Sequence, residues 1–124
     1  MEHLVLLKFK SDLDEKVERE FEKQTFDLLL QVPGVTNVCV GRTFTTDRAR
    51  GYTHAIRVRL KSREDLGVYA KHDLHIKLKK ENIIPLLDTS QKDPVCAVDF
   101  VSKDATDRDQ SRGSFMDMAA SSSK

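Results

Sequence analysis

The chain has 124 residues and a mass of 14.1 kDa, which is enough for one domain with its own hydrophobic core and too little for two. Its 21 Lys and Arg residues balance 20 Asp and Glu residues, and no basic cluster carries interleaved aromatic side chains. Binding to nucleic acid or to an anionic membrane is therefore not expected. No segment approaches the roughly 18 apolar residues of a membrane span, and no basic leader precedes the first apolar run. We expect a soluble, cytoplasmic protein.

The first third of the chain predicts a strand, a helix and a second strand. The apolar run over residues 3–9 is bounded by polar residues and is typical of a buried strand. Ser11 or Asp12 is the expected N-cap of a helix over residues 13–32, where apolar side chains recur at helical spacing until a Pro-Gly pair ends it. Residues 35–41 alternate as a second strand. Alternation places four side chains of the first strand on one face: His3, Val5, Leu7 and Phe9.

The middle of the chain predicts a third strand and two helices. Residues 52–60 alternate between apolar and polar side chains, and Ser62-Arg63-Glu64-Asp65 resembles a capping box that starts a short helix through Tyr69. Asp73 is the expected cap of a further helix, which begins near His75 and is limited by a proline. Along the third strand, four side chains share one face: His54, Ile56, Val58 and Leu60.

The end of the chain predicts a fourth strand and an unpacked tail. Residues 95–101 form the last apolar run, while residues 102–124 are too polar to offset their ordering entropy and are predicted to be disordered. Cys39 and Cys96 lie in the second and fourth strands. We predict that both are buried small side chains, because a disulfide framework requires more cysteines and a secretory context.

The order β-α-β-β-α-β predicts an α+β, ferredoxin-like domain over residues 1–101, with one antiparallel sheet and helices on one face. The other face of the sheet is left bare, with Leu4 and Leu6 of the first strand on it. A small domain rarely leaves such a surface in water, so we expect a homodimer that covers it. Arg57 and Arg59 on a neighbouring strand make this surface less uniformly apolar.

Histidine and tyrosine side chains carry the only chemistry that the sequence offers. An imidazole titrates near neutral pH and suits a general base, and a phenol can donate to a developing oxyanion. The residues of this kind within predicted strands and helices are His3, His54, Tyr69, His72 and His75. They indicate a small-molecule pocket.

Each of these side chains also has a purely structural alternative. His54 fits a hydrogen-bonded core histidine, His72 fits a capping or solvent-facing residue, and Tyr69 fits simple packing against the sheet. Metal binding is less consistent with the sequence, because His72 and His75 are three residues apart across a predicted break and no Cys or Glu stands at a zinc-motif spacing. We expect no metal and no cofactor.

Several motifs resemble the stress-responsive A/B barrel family, whose members are dimeric α/β barrels. They are the opening run from His3 to Lys10, the segment Gly51-Tyr52-Thr53-His54-Ala55, and the spacing of residues from Ser62 to His75. The closing Ala97-Val98-Asp99-Phe100 also fits. The resemblance spans about residues 1–101 and implies a barrel built from two copies of this domain.

The resemblance also implies roles for single residues. A plant cyclase of this family closes a linear polyketide thioester by aldol condensation without a metal or organic cofactor. By this resemblance His75 is the catalytic base and Tyr69 its partner, while His3, His54 and His72 bind substrate. Asp73 stands where the family usually has proline. Other members are heat-stable stress or defence proteins with no established reaction, so a non-catalytic dimeric module that holds a small apolar ligand, or none, is the alternative.

Overall fold

Four strands form one antiparallel sheet in the order β2-β3-β1-β4. They are β1 (Glu2–Leu7), β2 (Val35–Arg42), β3 (His54–Leu60) and β4 (Val95–Phe100). The order, with β1 between β3 and β4, is that of the split βαβ unit, so the predicted ferredoxin-like fold is confirmed. The computed structural model describes residues 1–105, and the predicted disordered tail therefore lies, beyond its first four residues, outside the described residues.

Helix α1 (Glu15–Leu29) begins later than predicted, because Asp14 and not Ser11 or Asp12 is its N-cap. The Asp14 carboxylate accepts the N–H of Val17 at 2.9 Å. Leu13, immediately before the cap, packs against the hydrophobic core. An apolar side chain anchored at that position fixes where the chain enters the helix, so the cap falls one residue after it.

The end of α1 also differs from the prediction by three residues. After Leu29 the backbone tightens, and the N–H of Val32 donates to the carbonyl of Leu29 at 3.1 Å. Gly34 then adopts φ +90°, and a Cβ atom on it would lie 2.9 Å from Cγ of Asp65. This position therefore requires glycine for its backbone angle and for the close approach of the next helix.

Two short helices, α2 (Asp65–Lys71) and α3 (Asp73–Leu78), follow β3, and a π-helical turn (Lys79–Ile83) and a 3-10 turn (Ile84–Leu86) continue the second of them. His72 separates the helices in an extended conformation, and its Nδ1 accepts the N–H of Leu74 at 3.1 Å. The cap of α3 is therefore His72, and the prediction of Asp73 is wrong by one residue. Asp73 takes the first helical position, where a carboxylate interacts favourably with the helix N-terminus.

The two faces of the sheet differ as the alternation predicts. The face toward the helices holds the buried core, including Leu7, Ile56, Val58 and Leu60. The opposite face carries Leu4 and Leu6 of β1 together with residues that pair beside them: Cys39, Arg57, Arg59, Cys96, Val98 and Phe100. Cys39 is exposed and Cys96 half-buried, so the prediction that both are buried is wrong. Both thiols are free and lie on the face that no helix covers.

A buried carboxylate stands among the residues of this uncovered face. Glu2 is 3% exposed, and it accepts hydrogen bonds from Arg59 Nε at 2.9 Å, Ser102 Oγ at 2.9 Å and Arg57 Nη1 at 3.3 Å. Burial acts to raise the pKa of Glu2, but the bonds from Ser102 and Arg59 and the two guanidinium charges outweigh it and hold the pKa below its usual value. The arginines on this face are thus partly neutralised within the chain itself.

In residues 1–105, no helix is both long and apolar enough to cross a membrane.

Candidate functional site

A cavity of about 340 Å³ lies between the sheet and the segment that runs from α2 to the 3-10 turn. Most of its wall is aliphatic and comes from β1, α1, β3 and the turns after α3, with side chains such as Val5, Leu29, Ile56 and Ile83. Four other side chains complete the lining: His3, Tyr69, His75 and Lys79. A mostly apolar pocket of this size with a few convergent polar groups is typical of a small-molecule site.

Tyr69 stands between two imidazoles. It belongs to the last turn of α2 and is 3% exposed. Its ring centroid lies 5.4 Å from that of His3 and 4.4 Å from that of His75. Burial, with a smaller contribution from the charge of Asp99, raises the pKa of Tyr69 far above its usual value. The phenol therefore stays protonated and remains a hydrogen-bond donor.

His75 reaches Tyr69 because the helix breaks at His72. On one unbroken helix, a separation of six residues would point the two side chains well apart. After the break, His75 Nδ1 lies 3.1 Å from the carbonyl oxygen of Ala70. A carbonyl only accepts, so Nδ1 carries the hydrogen and Nε2 keeps its lone pair. Burial is the main cause that lowers the pKa of His75, and the charge of Lys79 lowers it further against the opposing Ala70 bond, which favours the neutral base.

His3 is held by a carboxylate that the sequence interpretation did not assign to the site. Asp99 of β4 pairs with His3 of β1 across the sheet, and its Oδ1 lies 2.5 Å from His3 Nδ1. The other ring nitrogen, Nε2, has no hydrogen-bond partner among residues 1–105. The sequence feature that could have identified Asp99 is an acidic residue within an apolar strand, at a position whose side chain faces the helices.

His54 does not line this cavity, so the prediction that it shares one hollow with Tyr69 and His75 is wrong. It is 5% exposed, and its ring packs 4.5 Å from that of Phe9. Its Nε2 lies 3.1 Å from Oε1 of Glu18 and its Nδ1 lies 2.7 Å from Oγ1 of Thr53. His54 pairs with Leu7 in the sheet, whereas His3 pairs with Val58 four residues further along β3, which separates the two histidines.

His72 is also absent from the lining of the cavity. Its ring nitrogen is used to cap α3, which is the structural alternative that the sequence left open. Asp73 does not line the cavity either, so its carboxylate does not replace a polar group of the site. Among residues 1–105, no group of three or more His, Cys, Asp or Glu side chains comes together in a way that could hold a metal ion.

Comparison with known protein families gives a match over almost the whole described part of the chain. The model of the Stress Responsive A/B Barrel Domain family matches residues 1–102. Olivetolic acid cyclase of Cannabis sativa is 32% identical over 77 residues, covering 61% of this chain and 76% of that protein. A stress-response A/B barrel domain-containing protein of Arabidopsis thaliana is 29% identical over 103 residues, covering 82% of this chain and 36% of that protein. The chain thus spans about a third of the length of this second relative.

Solved structures of low sequence identity share the fold. An Arabidopsis thaliana protein superposes with a TM-score of 0.70 at 20% identity, over 85% of this chain and 97% of that one. A dimeric ferredoxin-like protein of unknown function from Thermobifida fusca superposes with a TM-score of 0.65 at 19% identity, over 82% of this chain and 89% of that one. Both similarities show that the chain shares the fold of these structures.

Proposed function

Because the chain belongs to the stress-responsive A/B barrel domain family, we propose that its cavity is an acid–base site acting on a polyketide-like or other small carbonyl substrate. The observation that carries the proposal is the arrangement of Tyr69 between His3 and His75 at one end of an aliphatic cavity. A buried phenol that stays protonated and a neutral imidazole with an open Nε2 are the donor and the base that carbonyl chemistry requires. Similarity to olivetolic acid cyclase supports the same reaction class.

In the proposed reaction, His75 is the general base. Its Nε2 takes a proton from a carbon that lies between two carbonyl groups of the substrate. The carbanion then attacks a second carbonyl carbon of the same molecule, and a carbon–carbon bond closes the ring. The attacked carbonyl oxygen becomes an alkoxide, which the Tyr69 hydroxyl stabilises by donating a hydrogen bond before the imidazolium returns its proton. The catalytic residues are thus His75 and Tyr69.

His3 contributes to substrate binding in this scheme. Asp99 fixes its Nδ1–H, so Nε2 remains as an acceptor on the cavity wall, beside the ring of Tyr69. An enol or hydroxyl hydrogen of the substrate can bind there. The aliphatic remainder of the wall suits a hydrocarbon tail, because burying each CH₂ group contributes about 0.8 kcal/mol.

We also propose that the chain forms a homodimer through the uncovered face of its sheet. Val98 and Phe100 on that face are each 49% exposed, and Leu4 and Leu6 lie beside them in the strand register. A related structure with this fold is described as dimeric. Sedimentation of the full chain tests this proposal, and replacing Val98 with Asp should release monomers.

The test of the catalytic proposal is cyclisation of poly-β-keto thioesters and of the corresponding free acids, with products identified by mass spectrometry. Wild type is expected to form ring-closed products, and His75→Ala and Tyr69→Phe are each expected to lower kcat at least about 100-fold. His72→Asn is the matched control, since Asn is also a good N-cap and His72 lies off the cavity. Equal rates in all four proteins would contradict the proposed roles.

The alternative function is a non-catalytic dimeric module of a stress-associated protein. It is favoured by the longer Arabidopsis thaliana relative, in which a domain like this one occupies about a third of the length. The same assay separates the two functions. The non-catalytic function is supported if wild-type protein binds amphipathic carbonyl compounds but converts none of a broad panel of thioesters.

A further inference from the structure

The polar end of the cavity has an unbalanced charge. Among the described residues that form its wall, Lys79 is the one Lys or Arg side chain, and no carboxylate lines the wall. The nearest acidic group of the site, Asp99, is bound to His3 and does not itself line the cavity. The Lys79 amine has no carboxylate within salt-bridge distance among residues 1–105.

The position of Lys79 relative to the proposed base is fixed by the backbone. Its N–H donates to the carbonyl of His75, so the two residues are one helical turn apart and their side chains share one face. Lys79 is also the first residue of the π-helical turn, which widens the segment where it passes over the cavity. Lys79 is exposed and Ile84 of the same wall is 54% exposed, which places this part of the wall where the cavity opens to solvent.

We infer that Lys79 determines specificity, and that the site selects an amphipathic organic anion whose carboxylate binds Lys79 while its hydrocarbon part enters the aliphatic cavity. The inference rests on the proposed function and narrows its substrate class. An anion at the mouth leaves the carbonyl groups of the ligand one turn deeper, beside His75 and Tyr69. A neutral ligand of the same shape keeps the apolar contacts and loses only the ion pair.

The charge of Lys79 also supports this assignment through its effect on the base. Together with burial, which is the larger cause, it lowers the pKa of His75 and keeps the imidazole neutral before a ligand arrives. A bound carboxylate offsets that charge and makes Nε2 more basic. Ligand binding and base strength are therefore coupled in the direction that favours proton abstraction.

The experiment compares two ligands that differ in charge alone, 4-hexylbenzoate and 4-hexylbenzamide, by isothermal titration calorimetry of the full chain at low ionic strength. Wild type is expected to bind the benzoate about fivefold more tightly than the benzamide. Lys79→Met, which keeps the length of the side chain, is expected to remove that difference by weakening the benzoate alone. Lys79→Arg should restore it, and about 0.5 M NaCl should reduce it.

Lys80→Met provides the matched control, because Lys80 is the next residue of the same turn and does not line the cavity. It is expected to leave both affinities unchanged. Equal affinity of the two ligands for wild type overturns the inference, and so does an equal loss of both ligands in Lys79→Met or the same loss in Lys80→Met. If cyclisation proceeds while the two affinities are equal, the inference fails and the proposed function stands. If neither compound binds, the inference fails, and the cyclisation assay decides the proposed function separately.

Discussion

Two histidine–carboxylate pairs on the same face of the sheet have opposite consequences. In the first pair, His3 binds Asp99 through Nδ1 and leaves Nε2 without a partner among the described residues, on the wall of the cavity. In the second, His54 binds Glu18 through Nε2 and Thr53 through Nδ1. A carboxylate requires a hydrogen on the nitrogen that faces it, and Nδ1 of His54 is engaged by the Thr53 hydroxyl, so no ring nitrogen is left free. The first histidine is available for chemistry and the second is not.

The difference arises from what covers each pair. Phe9 and Phe21 pack around His54, with ring centroids 4.5 Å and 5.8 Å away, so helix α1 closes that end of the sheet. Over His3 the only aromatic contact among residues 1–105 is with Tyr69, and the imidazole also lines the cavity. One pair therefore holds a helix on the sheet, and the other orients the His3 side chain toward the cavity. Substitutions at equivalent atoms of the two pairs should separate stability from activity.

The largest expected effect is the loss of stability in His54→Ala. The substitution removes a buried ring and leaves the Thr53 hydroxyl and the Glu18 carboxylate without their partner. We expect the free energy of unfolding to fall by about 3 kcal/mol, measured by urea denaturation. His3→Ala is the control and should cost only about 1 kcal/mol, because its carboxylate partner is partly solvated. Similar losses in the two variants would show that the pairs do not differ as described.

The next largest expected effect is a loss of turnover in Asp99→Asn, which follows from the proposed function. The amide can present either its oxygen or its NH₂ group to His3, so Nδ1 no longer always carries the hydrogen and Nε2 no longer presents a constant lone pair. We expect kcat/KM for thioester cyclisation to fall about tenfold, while the unfolding midpoint in urea changes little. A fall in stability that matches the fall in activity would instead indicate a structural role.

The fold was largely predictable because it follows from local patterns. Strict alternation along β3 places His54, Ile56, Val58 and Leu60 in the core, and each of them is buried. The caps were less predictable, since Asp12, Asp14, His72 and Asp73 all suit a helix start, and tertiary packing decides between neighbours. The exposure of Cys39 depends on which sheet face lacks a helix, which the pattern of one strand does not contain.

The site was predictable in residue type and only partly in geometry. Tyr69 and His75 come together because the chain breaks between them, as the predicted helix start near Asp73 required. His54 shares its face with His3, yet the register of β1 and β3 separates the two, and register depends on pairings between distant parts of the chain. Asp99 was missed for the same reason, since its role arises only when β4 pairs with β1.

Glu18→Gln is the matching substitution in the second pair, and it should lower stability without lowering turnover. The amide keeps an acceptor for His54 Nε2 but removes the charge that also binds Arg42 at 3.1 Å. We expect a loss of about 1 kcal/mol in the free energy of unfolding and no change in kcat or KM. Reduced turnover in this variant, at full stability, would mean that the His54 cluster communicates with the cavity.

The smallest expected effect is a change in how stability depends on pH. Burial lowers the pKa of His54 in the folded chain, and the Arg42 charge acts in the same direction against Glu18. Between the folded value and about 6.5, the ordinary value in an unfolded chain, the unfolded state binds more protons. The contribution of His54 to the free energy of unfolding should therefore be fully present above about pH 6.5. It should decline as pH falls through that value and level off below the pKa of the folded chain.

His54→Gln removes this contribution, so urea midpoints measured from about pH 7.5 to about pH 5 should decline less steeply than in wild type. A residual slope is expected from His75, whose pKa burial also lowers, and the double variant with His75→Gln should flatten the profile further. An unchanged slope in His54→Gln would show that the pKa of His54 does not differ between the folded and the unfolded chain, and a steeper decline would show that the imidazole stays charged in the fold. In the second case the Glu18 carboxylate outweighs burial.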